Sequence, residues 1–254
     1  MKEGKVILEC CGLRKRFGGL MVLNNISFQV PTGKITALIG PNGAGKTTVL
    51  NAITGVFPLD EGNILFKGHS LNGLKSFKVV ECGIARTFQN VRIFPDMTVL
   101  DNVMVGCHAK TRSGFIDALL HLPAMRREET AIRQCSIEVI ERLGISEKDT
   151  LAGSLSLVGQ KKVEIARALA SRPELLMLDE PASGLSGDET RQLAKALIEI
   201  GQEGITILLI EHDMNLVMGI SDHVVVLNYG EKIADGPPES VQKNDRVLAA
   251  YLGC

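Results

Sequence analysis

The order of apolar and polar positions divides the chain into three stretches. Residues 5–10, 22–30 and 34–39 are β-branched or alternate apolar with polar, and read as strands, with Pro31-Thr32-Gly33 as a turn before the third. Residues 45–54 carry helical spacing, and Gly55 supplies a stop signal. Short strands are expected near 63–66 and 84–88. From about 98 to 171 the period becomes helical, through Thr98–Met104, Phe115–Leu122 and Arg126–Leu143. Strands at 174–179, 205–210 and 222–228 then alternate with helices at 189–200 and 213–219. The unbroken apolar runs Ile205–Ile210 and Val224–Leu227 suit parallel strands covered on both faces. Alternating β and α units argue for an α/β chain with a parallel sheet wound by helices.

Composition narrows the picture. The 28 basic and 29 acidic side chains nearly cancel, which gives no bulk field for nucleic acid or an anionic membrane. Mean hydropathy is slightly positive, yet no apolar run approaches the roughly 20 residues of a membrane helix. Met1-Lys2-Glu3-Gly4 has charge but no apolar core, so no signal peptide is expected. The six cysteines form no C-x-x-C pair and read as reduced thiols rather than a disulfide frame or zinc site.

The chemistry enters with Gly40-Pro41-Asn42-Gly43-Ala44-Gly45-Lys46-Thr47, a complete G-x-x-x-x-G-K-[ST] phosphate loop, followed by Thr48. It sits between an expected strand and an expected helix, as that motif requires. Its glycines let the backbone N–H groups turn inward toward phosphate oxygens, and the helix N-terminus adds positive potential. Lys46 can reach the β- and γ-phosphates, and the Thr47 hydroxyl can hold Mg²⁺. The second half is Leu175-Leu-Met-Leu-Asp179-Glu180, a buried strand with two carboxylates at its carboxyl end, where α/β sheets keep their ligands. Asp179 suits a Mg²⁺ ligand, and Glu180 is placed to orient or deprotonate water.

Along nearly its whole length the chain resembles the ATP-binding-cassette ATPases. The resemblance implies a P-loop NTPase fold: a parallel-sheet catalytic lobe, an N-terminal antiparallel β region and an inserted helical subdomain. One such domain would span 1–254, with the catalytic lobe at about 1–89 and 172–254 and the helical subdomain at about 90–171. Phe17, in Leu13-Arg-Lys-Arg-Phe-Gly18, matches the family's aromatic platform for adenine. Gln89, in Arg86-Thr-Phe-Gln-Asn90, matches the glutamine that senses Mg²⁺ and the attacking water. His212, in Ile210-Glu-His-Asp213, matches the switch histidine that contacts the γ-phosphate, and Ser183–Ser186 matches the dimer-contacting loop. ATP and Mg²⁺ are the implied ligands.

Arg16-Phe-Gly-Gly19, Arg86–Gln89, the stretch Phe115–Glu128, Ile210–Asp213 and Ala249–Gly253 are similar to the larger ATPase of bacterial branched-chain amino acid importers. That subgroup implies a second ATPase subunit in a hetero- or homodimer, two membrane permeases, and indirectly an extracytoplasmic solute-binding protein. It implies a peripheral place on the cytoplasmic face of the membrane, with a permease docking near Gln89–Met97. Urea importers of the same clan, a non-transport ATPase and a non-hydrolysing nucleotide-binding subunit are the alternatives, and Glu180 argues against the last. One departure stands out. The family signature Leu-Ser-Gly-Gly-Gln, which acts on the nucleotide of the opposite subunit, aligns without gaps so that Ser156 is kept. Leu157 and Val158 then replace the two glycines, and Gly159 replaces the glutamine; sliding the alignment to match Gly159-Gln160 instead puts Leu157 where the Ser belongs, and both versions depart from the signature. Ser186 stands where the dimer loop commonly has Asp or Asn.

Overall fold

The computed structural model describes residues 5–107 and 123–252, so the helix expected over 115–122 lies outside the described residues. Two compact units divide the chain, residues 1–86 with 174–254 and residues 87–173.

The first unit holds two sheets. In the antiparallel one the order is β2 (Leu20–Pro31), β1 (Val6–Phe17), β4 (Glu61–Phe66), β5 (His69–Ser70). β1 runs seven residues past its expected end at 10, to Phe17, because bulges between Cys10 and Leu13 and around Lys15 break the alternation while keeping the pairing. The six-stranded sheet has the order β10 (Glu231–Gly236), β9 (His223–Asn228), β3 (Ile35–Ile39), β8 (Thr206–Ile210), β7 (Leu175–Asp179), β6 (Ile84–Arg86). All its pairs are parallel except β10 with β9. The antiparallel edge strand β10 carries too little apolar alternation to be legible beforehand.

Burial explains the apolar runs. β3, β7 and β8 are buried at every residue. Leu38, Val225 and Leu227 join one core with Leu8, Leu13 and Ile26 of the antiparallel sheet and with Val49, Leu50 and Ile53 of α1 (Lys46–Ile53). Their chain neighbours Ala37, Ile39, Val224 and Val226 enter a separate core on the opposite face, with Val217 of α7 (Met214–Ile220). The same strands thus need apolar side chains on both faces. α6 (Gly187–Gln202) turns Leu193, Ala196, Leu197 and Ile200 inward at helical spacing and begins on a capping box between Ser186 and Glu189. A short α2 (Ser76–Glu81) and two final helices, α8 (Pro238–Gln242) and α9 (Asp245–Leu252), complete this unit.

The second unit contains α3 (Val99–Cys107), α4 (Pro123–Arg142) and α5 (Leu157–Ala170), with a 3₁₀ turn at Ala152–Ser154. α3 and α5 approach closely at Gly106, where a Cβ would fall 1.9 Å from the Arg167 carbonyl oxygen. The unit begins at Thr87 because β6 stops at Arg86. The Phe88 N–H leaves the ladder and donates to Glu164 Oε1 on α5 at 3.2 Å. Gln89, expected at the end of the catalytic lobe, therefore belongs to the helical unit.

Candidate active site

Three neighbouring parallel strands deliver the chemistry. The carboxyl end of β3 leads into Gly40–Thr48, that of β8 into Glu211 and His212, and that of β7 into Asp179 and Glu180. Each strand is fully buried, so its first polar residues emerge together at one edge of the sheet.

Glycines and backbone hydrogen bonds fix the shape of the phosphate loop. Gly40 has φ 149°, and a Cβ there would lie 2.1 Å from the Leu227 carbonyl oxygen, so only glycine fits. The loop is closed by the Ala44 N–H donating to the Pro41 carbonyl and by Gly230 N–H donating to Ala44 O. Lys46 is buried, and its Nζ donates to the carbonyls of Gly40 at 2.7 Å and Pro41 at 3.0 Å. Burial lowers the Lys46 pKa, while the carboxylates of Glu180 and Asp179 act in the opposite sense. α1 starts with Gly45 as N-cap, no side-chain cap and no acidic residue in its first turn. The N–H groups of Gly43, Gly45, Lys46, Thr47 and Thr48 find no acceptor among the described residues. Five donors without partners at a helix N-terminus fit a polyphosphate. Asn42 and Thr47 are exposed at its mouth.

Asp179 is 3% exposed, and its Oδ2 accepts from Arg86 Nη2 at 2.8 Å. Arg86 Nη1 in turn donates to Asn51 Oδ1 at 2.7 Å and Thr54 Oγ1 at 3.2 Å, on and just past α1. The helix after the phosphate loop and the acidic strand are thereby tied through one guanidinium. The Thr47 hydroxyl and the Asp179 carboxylate are hard oxygen donors of the kind Mg²⁺ selects, so the residues present fit that ion.

Glu180 takes a left-handed backbone, φ 49°, with its N–H donating to Ile210 O at 2.9 Å. Such strain in a residue with a Cβ persists only where the surroundings enforce it. His212 is exposed, with Nδ1 3.8 Å from Glu180 Oε2 and 3.8 Å from Glu211 Oε2. Glu211 is completely buried and accepts from the Ala182 N–H at 2.7 Å and the His212 N–H at 3.1 Å.

Phe17 is 46% exposed at the end of the β1–β2 hairpin, the same hairpin whose Val22 and Leu23 press against Gly45. The Phe57 ring meets it edge to face at 5.2 Å, and Lys15 Nζ lies 5.4 Å and 5.5 Å from the two ring centres. Lys15 is fixed by Pro58 O and Asp60. The Phe17 ring is thus braced while nearly half of the residue stays exposed.

Within the second unit, Gln89 is exposed on a segment pinned at several points. Besides Glu164 holding Phe88, Arg167 donates to the Arg92 carbonyl, and Asn102 is hydrogen-bonded to both the N–H and the C=O of Phe94. Ser156 is the N-cap of α5, its Oγ accepting from Gly159 N–H at 3.3 Å, and Gln160 donates to Leu155 O at 3.0 Å. Leu157 and Val158 thus occupy the first turn after the cap. Four contributors escaped the sequence reading: Arg86, Glu211, and the Lys15–Phe57 brace. Glu211 carried one signal, a carboxylate closing an otherwise apolar strand beside His212. Arg86 and Lys15 stand within quoted segments, but their partners Asp179 and Asp60 lie 93 and 45 positions away and left no signal.

A phosphate cradle on the first strand of a parallel sheet, with paired carboxylates at the same edge, defines a P-loop nucleoside-triphosphate-binding domain. The chain belongs to the ABC transporter family, whose model matches residues 23–183. A second model, the branched-chain amino acid ATP-binding cassette transporter, matches residues 231–253. The chain is 43% identical over 249 residues, covering 97% of it and 98% of the relative, to the high-affinity branched-chain amino acid transport ATP-binding protein BraF of Pseudomonas aeruginosa. It has the same identity and coverage against LivG of Escherichia coli, which bears the same description. Among solved structures, a nucleotide-free ATP-binding cassette from an ABC transporter superposes with a TM-score of 0.85 at 31% identity, covering 97% of this chain and 99% of that one. The ADP conformation of such a cassette gives 0.84 at 31% identity, covering 98% and 100%.

Proposed function

We propose that this chain is the ATP-hydrolysing subunit of a membrane importer for branched-chain amino acids. The observation that carries the reading is the similarity to BraF and LivG over 97% of the chain, including the separately matched C-terminal segment. ATP binding and hydrolysis follow the family, and the cradle, Lys46 and the β7 carboxylates supply the groups that chemistry needs.

The residues divide the work as follows. Phe17 offers its exposed ring to the base. The N–H groups from Gly43 to Thr48 hold the phosphates, with Pro41, Asn42 and Ala44 shaping the loop around them, and Lys46 exchanges its two carbonyl partners for phosphate oxygens. Thr47 and Asp179 would hold Mg²⁺, which neutralises charge developing on the phosphoryl oxygens when bound, and the family resemblance gives Gln89 the part of sensing that ion. Glu180 orients and deprotonates the attacking water, and His212 faces the γ-phosphate. Ser156–Gln160 serves the nucleotide of a second ATPase subunit in a hetero- or homodimer. The surface from Gln89 to Met97, with Phe94 exposed and Val91, Ile93 and Met97 half-buried, receives a permease. Two permeases and an extracytoplasmic binding protein complete the assembly. Among the described residues no helix is long and apolar enough to cross a membrane, which agrees with a peripheral subunit held by those permeases at the cytoplasmic face.

The test is ATP-dependent uptake by the complete assembly in proteoliposomes. Leucine, isoleucine or valine should accumulate and urea should not. Uptake of urea in place of the amino acids would move the chain to the neighbouring importer group, and ATP turnover that no permease stimulates would remove it from transport.

A further inference from the structure

The buried Glu211 touches both loops that carry the proposed catalytic side chains. It closes β8, where four of the five strand residues before it are aliphatic and all are buried, and its own side chain has no exposed area. A carboxylate in that setting is costly to keep unless its charge is met. Its two oxygens are used separately. Oε1 accepts the Ala182 N–H at 2.7 Å, in the turn that follows Glu180, and Oε2 accepts the His212 N–H at 3.1 Å. The imidazole Nδ1 of His212 lies 3.8 Å from this same Oε2 and 3.8 Å from Glu180 Oε2, so the ring sits between two carboxylates. Among the described residues, His212 is the only charged or chargeable partner within ion-pair distance of Glu211.

The turn it holds is strained. Glu180 is left-handed at φ 49°, Pro181 has no N–H to offer, and Ala182 is the first residue beyond the strain with a donor that can be fixed. The neighbouring strand adds one tie, Glu180 N–H to Ile210 O at 2.9 Å. Glu211 supplies the second, from the next residue along that strand.

We propose that Glu211 is a positioning residue that locks Glu180 and His212 into one geometry, so that base and γ-phosphate contact are set together. The assignment rests on the roles given to those two residues above. A carboxylate is needed because both N–H groups require an acceptor. A glutamine offers one oxygen and one NH₂, so one of the two N–H groups must then face a donor. A displacement of the base of about 1 Å is enough to cost on the order of 10²-fold in turnover.

The experiment is a double-mutant cycle on the assembled complex, reading kcat for ATP together with the dissociation constant of a fluorescent ATP analogue. The variants are Glu211→Gln, His212→Ala and the pair, with Glu211→Met, which has similar length and no acceptor, as a second probe. Glu211→Gln should lower kcat by roughly 10- to 100-fold while the dissociation constant changes by less than about threefold, a loss in the turnover step alone. In the His212→Ala background the same change should cost less than about threefold further, since residues acting as a unit are not additive. A kcat within about threefold of wild type in Glu211→Gln overturns the assignment. So does a full multiplicative loss in the double variant, or a loss of nucleotide binding or folding in Glu211→Gln, which would make the residue a support of the fold. If His212→Ala and Glu180→Gln themselves leave turnover intact, the functional reading fails instead, and the two failures are thereby separate.

Discussion

Phe17 and Arg86 mark the two ends of what a single residue discloses here. Phe17 sits in a recognisable sequence context, and the structure adds the brace of Phe57 and Lys15 beside a ring that stays exposed. Its proposed part is to stack on the base, an interaction worth roughly 1–3 kcal/mol when removed by alanine. Phe17→Ala should therefore raise the ATP dissociation constant by about 5- to 150-fold and leave inorganic triphosphate binding unchanged. Equal weakening of both ligands would make Phe17 a support of the hairpin instead. Arg86 has no motif of its own. Its meaning lies in Asp179, 93 positions away, and in Asn51 and Thr54, which aim the guanidinium. Both members of the ion pair are nearly covered, with side chains 8% and 4% exposed. Arg86→Met would leave Asp179 buried and unpaired, at a cost of about 3–5 kcal/mol, read as a lower unfolding midpoint in denaturant. Unchanged stability would show that Asp179 finds another partner or water. Lys46, Thr47, Asp179 and Glu180 were legible because phosphate chemistry demands those residue types at short fixed spacing. The partners that hold them were not, because the fold alone brings them near.

At the scale of elements, α1 and α5 are two helix starts with opposite designs. α1 has glycine as N-cap and no side-chain cap, so its N–H groups remain available for an anion. α5 is capped from within by Ser156, and Leu157 and Val158 fill its first turn. Small residues would let a partner's phosphate approach that backbone, and a branched Val beside a Leu should hinder it. A misplaced donor at developing charge costs roughly 10²–10³-fold. Changing Leu157 and Val158 together to glycine should then raise the ATPase activity of the isolated subunit by about tenfold or more. No gain would mean that the natural turn works as it stands. The segment carrying Gln89 makes a related point. A strand was expected over 84–88, but the ladder ends at Arg86 because Glu164 captures the Phe88 N–H. The apolar pattern does not change there, so sequence alone extends the strand by two residues. The buried strands were legible for the converse reason, since β3, β7 and β8 need apolar side chains at every position. β1 was cut short because its bulges break the alternation that marks a strand.

For the whole molecule the central claim is that the phosphate loop and the β7–β8 edge of the first unit hydrolyse ATP on behalf of a membrane assembly. A mixed dimer would contain two unlike sites. The one built on Lys46, Asp179, Glu180 and His212 would take its signature from the partner and should turn over, while the one that borrows Ser156–Gln160 should bind ATP and turn over slowly. The most direct measurement compares ATP turnover and ATP occupancy in the purified complex carrying wild-type chain or Glu180→Gln. The amide keeps the shape of the site and removes the base, so the variant should retain ATP in the site with turnover lower by roughly 10²–10⁴-fold. Turnover in Glu180→Gln above about a tenth of wild type, with ATP still bound, would contradict the assignment of Glu180 and of the site built around it.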